Sequence, residues 1–120
     1  MTAAEAEALG RRLLAAGCPW RAGMLTVLGD RFDLDYRGRV RTEDAFGEWQ
    51  APAAGDLPDL REAATRGAVL EALREKVEDE TLHVWWSHQC GHWVLSGSGR
   101  DIIEQATTEA EALVLAWEAA

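Results

Sequence analysis

The chain has 120 residues, 48% of them apolar, with 21 acids against 12 bases and a formal charge of −9. That length and apolar content support one domain, residues 1–120, that buries a core without metals or disulfides, and they exclude a disordered chain. The acid excess disfavours direct nucleic-acid binding, where Lys and Arg supply the affinity, and the longest apolar run, Ala112 to Trp117, is far short of the ~20 residues of a membrane-crossing helix.

The opening Met-Thr-Ala-Ala-Glu-Ala-Glu lacks the basic flank and apolar stretch of a secretion signal, so a cytoplasmic location is expected. Two cysteines, Cys18 and Cys90, are too few for a disulfide framework and are expected as free thiols. Eleven of the twelve bases are Arg, which with abundant Ala and Gly reflects a GC-rich genome.

Thr2 with Glu5 forms a capping box opening a helix over about 3–16, with Ala6, Leu9, Leu13 and Ala16 on one side and Gly17 at its end. From Met24 the period changes to two. Met24 to Leu28 reads as a buried strand, Gly29-Asp30 as a turn, and Phe32, Leu34 and Tyr36 as the apolar side of a second strand. Arg37-Gly38 turns into a third strand around 39–41, completing an antiparallel meander with one apolar face. Its Asp and Arg residues read as a solvated sheet surface in preference to a carboxylate metal site at Asp30, Asp33 and Asp35.

Residues 42–58, with Pro52, Gly55 and Pro58 among acids, predict a long loop pinned to the core by Phe46 and Trp49. A second helix is predicted over about 60–77, capped by Asp59 and Glu62 and buried along Val69, Leu70, Leu73 and Val77. Gly67 inside it costs about 1 kcal/mol relative to Ala, which close packing against a neighbour would explain. Strands follow at about 81–87 and 92–96 around a turn at Cys90-Gly91, then a Gly/Ser loop at 96–99. Thr108 with Glu111 caps a last helix carrying Ala110, Leu113, Val114 and Trp117. The expected fold is therefore α+β: helix, three-stranded antiparallel meander, helix, β-hairpin, helix, with no internal repeat.

Residues 83–93 concentrate the chemistry: all 3 histidines, Cys90 and three of the 6 tryptophans. Strand parity puts Leu82, Val84, Trp86, Trp93 and Leu95 on the core face and His83, Trp85, Ser87, His92, Val94 and Ser96 on the other. Trp85 is then either covered by a helix or by the 42–58 loop, or part of an exposed recognition surface with His83, His88 and His92, where Trp is a favoured anchor. A Zn site at His88, Cys90 and His92 has suitable ligand types, but extended spacing spreads them at about 6–7 Å per step. A nucleophilic Cys90 with His88 or His92 lacks an orienting carboxylate and an oxyanion hole. Ser96 to Arg100 suggests an anion cradle or a plain connector, and the connector is preferred. No catalytic residue and no cofactor are assigned.

Leu57-Pro58-Asp59-Leu60 with Ala64-Thr65, Gly67, Leu70 and Arg74-Glu75, and the closing run from Thr108 to Ala120, resemble segments of small proteins of tailed phages and prophages of GC-rich bacteria. Gly91-His92-Trp93-Val94 stands where those proteins have a turn and a Gly-Trp-x-Val-like strand. The chain departs from them at Glu62-Ala63, where Asp-Pro is usual, and in its His/Cys-rich turn. The resemblance implies a phage accessory protein in the bacterial host cytoplasm, non-enzymatic, that binds a host protein and possesses the character of a defence inhibitor of the anti-CRISPR kind. Acids in 43–62 and 101–120 would allow imitation of nucleic acid toward a basic groove. A small Zn module or metal-dependent enzyme, and a virion or assembly component, are the alternative readings; oligomeric state stays open.

Overall fold

Local chemistry sets both terminal helices. In the computed structural model, which describes residues 1–120, Thr2 Oγ1 accepts the Glu5 N–H at 3.1 Å and opens α1 (Ala3–Ala15). Gly17, at φ +94°, lets the chain turn back so that the Cys18 N–H reaches the Leu13 carbonyl at 3.2 Å. Thr108 Oγ1 accepts the Glu111 N–H at 3.0 Å and opens α3 (Glu109–Ala119), while the Glu111 carboxylate accepts the Thr107 hydroxyl at 2.9 Å.

The middle helix, α2 (Ala63–Val77), starts later than expected because its capping box does not form. Arg61 captures the Asp59 carboxylate at 2.8 and 2.9 Å, and Glu62 is held by Arg31 and the Thr65 hydroxyl. Val77, expected in the buried stripe, is 40% exposed. Gly67 is not explained by close packing either: a Cβ there would meet no atom within 4 Å.

Two antiparallel three-stranded sheets complete the α+β order of helix, strands, helix, strands, helix. The first comprises β1 (Asp33–Leu34), β2 (Val40–Glu43) and β3 (Trp49–Gln50). Its boundaries correct the expected meander. Met24 to Leu28 is not one of its strands and makes only isolated bridges, Leu25 to Arg31 and Thr26 to Pro58. Hydroxyls compete for that backbone: the Leu25 N–H goes to Thr65 Oγ1 at 2.9 Å and the Asp30 N–H to Thr26 Oγ1 at 3.0 Å. The third strand comes instead from the stretch expected as loop.

This sheet forms a lobe with no substantial packing on the helices or the other sheet. Phe32 is buried against Trp20, ring centroids 4.7 Å apart, but Leu34 and Tyr36 stay exposed and Phe46 is 92% exposed, not pinned to the core. Its two turns repeat one device, Asp-x-x-Gly-x, unrecognised as a repeat in the sequence. Asp35 Oδ1 accepts the N–H groups of Arg37 and Arg39 at 2.8 and 2.9 Å; Asp44 Oδ1 accepts those of Phe46 and Glu48 at the same distances. Gly38 and Gly47 supply the positive φ that each turn needs.

The second sheet is β4 (His83–Ser87), β5 (His92–Gly97) and β6 (Arg100–Ala106), so the expected hairpin gains a strand. Gly97 pairs with Arg100 across Ser98 and Gly99, whose φ values of 48° and 79° fit the left-handed two-residue turn that suits the twist of a hairpin. Two register shifts on β6 bring both Ile102 and Ile103 against the core. Helix α3 lies on this sheet and is flanked by α1 and α2. Leu13, Val69, Leu73, Leu82, Leu95 and Leu113 pack among them, and Trp117 donates its indole N–H to the Val69 carbonyl at 3.3 Å. Ion pairs tie the helices at their rims, Arg12 to Glu118 at 2.6 Å and Arg66 to Glu109 at 3.1 Å. No helix is long and apolar enough to cross a membrane.

Candidate functional site

The register of β4 on β5 pairs His83 with Ser96, Val84 with Leu95, Trp85 with Val94, Trp86 with Trp93 and Ser87 with His92. Directly opposed residues share a face, so the two sets expected from parity are the two sets observed. Helix α3 covers the set that includes Val84 and Leu95. No helix and no strand of the other sheet packs over the other set, and the residues around the opening beside Trp85 all belong to 81–83 and 96–101.

Trp85 is 38% exposed at the centre of this open face. Its indole N–H donates to Ser96 Oγ at 2.6 Å, a diagonal neighbour on β5, so the ring lies along the sheet and shields Val94 and Ser96. A depression of about 370 Å³ adjoins it, bordered by Thr81, His83, Ser96, Ser98, Arg100 and Asp101. His83 is exposed there, its Nδ1 3.0 Å from the Thr81 carbonyl. One aromatic wall, hydroxyls, an imidazole and one charge of each sign suit contact with a polypeptide surface, where amphipathic aromatics anchor and small polar groups adapt.

The remaining predicted residues separate. His92 sits on the same face, paired with Ser87 beside the connecting turn, two rungs beyond Trp85. His88 and Cys90 are exposed in the turn itself, a four-residue loop closed by the Gly91 N–H on the Ser87 carbonyl at 2.8 Å. No three His, Cys, Asp or Glu side chains converge as metal ligands, so the Zn arrangement of His88, Cys90 and His92 is not formed. Asp35 is likewise turned onto its own loop and the Arg39 guanidinium, away from any site shared with Asp30 and Asp33.

The Ser96 to Arg100 stretch is a hairpin turn, not an anion cradle. Its Ser98 N–H donates to Thr81 Oγ1 and its Ser98 hydroxyl to Asp79 Oδ2, both at 2.7 Å, which places a carboxylate where an anion would sit. The Thr81 hydroxyl above all, then that of Ser98, holds the Asp79 carboxyl below the usual Asp range. Many acids expected to imitate nucleic acid are also engaged within the chain. Asp44, Asp56, Asp59 and Glu111 accept bonds from neighbours in sequence, and Glu62, Glu109 and Glu118 accept them from the distant guanidiniums of Arg31, Arg66 and Arg12.

Two features escaped sequence reasoning. Trp86, assigned to the core, is 40% exposed at the sheet edge, its ring edge-on to Trp93 with centroids 5.6 Å apart. Its position on an edge strand, absent from any alternation pattern, is the reason. Leu34, Tyr36 and Phe46 on the lobe and Leu28 before it are also exposed, where Leu34 and Tyr36 were expected on a core face, Leu28 in a buried strand and Phe46 as an anchor of the loop. Comparison of the chain with protein-family models, with curated proteins and with solved structures finds no match.

Proposed function

We propose that this chain is a non-enzymatic accessory protein of a phage or prophage that binds a host protein through the open face of the β4–β5–β6 sheet, acting as an inhibitor of a bacterial defence system. The observation that supports binding is the uncovered Trp85 with His83 beside it, a large amphipathic ring held in place by its bond to Ser96. The phage origin rests on the resemblance of the Pro58-Asp59-Leu60 block and the closing helix. Affinity capture from host lysate tests the reading. The wild-type chain is expected to retain a partner, and Trp85→Ala to weaken that capture by ~30-fold or more, as the loss of a ~2 kcal/mol anchor would. Substituting Arg11, exposed on α1 and remote from the sheet, leaves capture unchanged. A partner retained equally by Trp85→Ala and His83→Ala chains would remove this surface from the account, and no partner at all would remove the function.

A further inference from the structure

The free edge of β4 lacks most of the devices that normally keep sheet edges apart. Its five residues, His83-Val84-Trp85-Trp86-Ser87, include no Asp, Glu, Lys, Arg or Pro, and its register on β5 runs without a bulge. The opposite edge of the same sheet is defended: β6 has two register shifts and carries Arg100, Asp101 and Glu104.

The direction of the free backbone groups follows from the β5–β6 turn. Closing a two-residue loop commits the N–H and C=O of Gly97 to Arg100 on β6, so by alternation Ser96, Val94 and His92 bond toward β4. Their partners His83, Trp85 and Ser87 use their own groups inward, and Leu82, Val84 and Trp86 point theirs outward. Arg74 Nε takes the Leu82 carbonyl at 2.8 Å. Nothing in the chain takes those of Val84 or Trp86.

Beside Val84 a groove of about 260 Å³ opens between β4 and α2, lined by Ala63, Gly67, Leu70 and Leu113 together with the ion-paired Arg66 and Glu109. Gly67 keeps it open, since a Cβ there touches nothing in the chain. Two residues along the same face stands the exposed ring of Trp86.

The geometry points to a second copy of this chain as the occupant, joined β4 to β4 antiparallel about a two-fold axis at Trp85. In that register Val84 of each copy faces Trp86 of the other, and both residues exchange the hydrogen bonds that are otherwise unmade. Each Trp86 ring enters the other copy's groove between Val84 and the Gly67 stripe, His83 meets Ser87, and the two Trp85 rings adjoin on the open face. The interface is self-complementary, as a two-fold contact must be. Because β4 carries no formal charge, two chains of −9 meet along a neutral seam. The dimer presents one six-stranded sheet with doubled Trp85 and His83.

This seam does not depend on the host-partner reading. Sedimentation equilibrium of the purified chain at up to about 100 µM is expected to give twice the chain mass of 13.2 kDa. Amide exchange of Val84 and Trp86 slows as concentration rises, while that of Trp85, already bonded to β5, does not. Gly67→Leu places a side chain in the groove, its Cβ meeting no atom of its own chain, so the melting temperature holds or rises while the dimer Kd increases by about tenfold or more. Trp86→Lys raises the Kd similarly from the other side. A monomer at every concentration overturns the proposal, as does a dimer whose Kd ignores both substitutions. A monomer that still captures a host protein through Trp85 overturns the dimer alone; a dimer that captures nothing overturns only the host-partner reading.

Discussion

Cys18 and Cys90 show how far residue identity leaves chemistry open. Both were expected as free thiols and both are, but burial, with only weak opposition from the Arg21 charge, pushes the Cys18 thiol up to about 12. Cys90 stands exposed in the β4–β5 turn. A thiol-directed reagent at neutral pH is therefore expected to label Cys90 rapidly and Cys18 only after denaturation, because the thiolate is the reacting species and Cys18 forms almost none. Peptide mapping after a timed pulse checks this, and equal labelling of both would show that α1 and its following turn open freely. The same contrast governs the candidate site. Parity placed Trp85 and His83 on a common face from the sequence alone, since alternation is a property of the strand. Whether a face is covered depends on where α3 and α2 lie, and single-sequence periodicity holds no information on that.

At the scale of elements, glycines separate what the sequence revealed from what it hid. Gly97 looked like part of a flexible connector, yet a Cβ there would lie 2.6 Å from Leu82 Cδ2 and 2.7 Å from Asp79 Oδ2. Gly67 looked like a site of close packing and has open space around it. Opposite outcomes follow for the same substitution: Gly97→Ala destabilises by about 1–3 kcal/mol through overpacking, and Gly67→Ala stabilises the monomer by about 1 kcal/mol through helix propensity. Denaturant titration of the two variants at low protein concentration checks the signs; a stable Gly97→Ala chain would mean that Leu82 and Asp79 shift at little cost. Both capped terminal helices were legible because Thr2 with Glu5 and Thr108 with Glu111 act within one turn. The Asp59–Glu62 box failed because Arg61 takes the Asp59 carboxylate with both its guanidinium and its own backbone N–H, while Arg31 from a distant turn holds Glu62. β6 was missed because adjacent Ile102 and Ile103 break the alternation by which strands are recognised, and only bulges reconcile them with one core.

Across the whole molecule, stability is unevenly distributed. The helices and the β4–β5–β6 sheet share a buried core around α3, whereas the β1–β2–β3 lobe stands apart, with Leu34, Tyr36 and Phe46 exposed. What holds the lobe, besides two short ladders, is its pair of Asp-x-x-Gly-x turns. In Asp44 the Glu48 N–H is the strongest influence, and with the Phe46 N–H and Gln50 it outweighs desolvation, so the carboxyl sits below its ordinary range. In Asp35 desolvation is the largest single influence and pushes upward. The Arg39 and Arg37 N–H groups and the Arg39 guanidinium together outweigh it, and the net direction is again down. A carboxyl with a lower pKa folded than unfolded contributes stability that is complete above the ordinary Asp value of about 3.9 and is lost as pH falls through the depressed folded value. Acid should therefore open the lobe before the core. Exchange protection of the Arg37, Arg39, Phe46 and Glu48 amides, corrected for intrinsic rates, is expected to fall several-fold below about pH 4 while α3 amides keep theirs. At neutral pH Asp44→Ala reproduces the loss at Phe46 and Glu48 and spares Arg37 and Arg39, because each turn is held by its own carboxylate. Loss of protection that spreads evenly from lobe to α3 under acid would show one cooperative unit, and the exposed apolar set on the lobe would then belong to the same stable scaffold as Trp85.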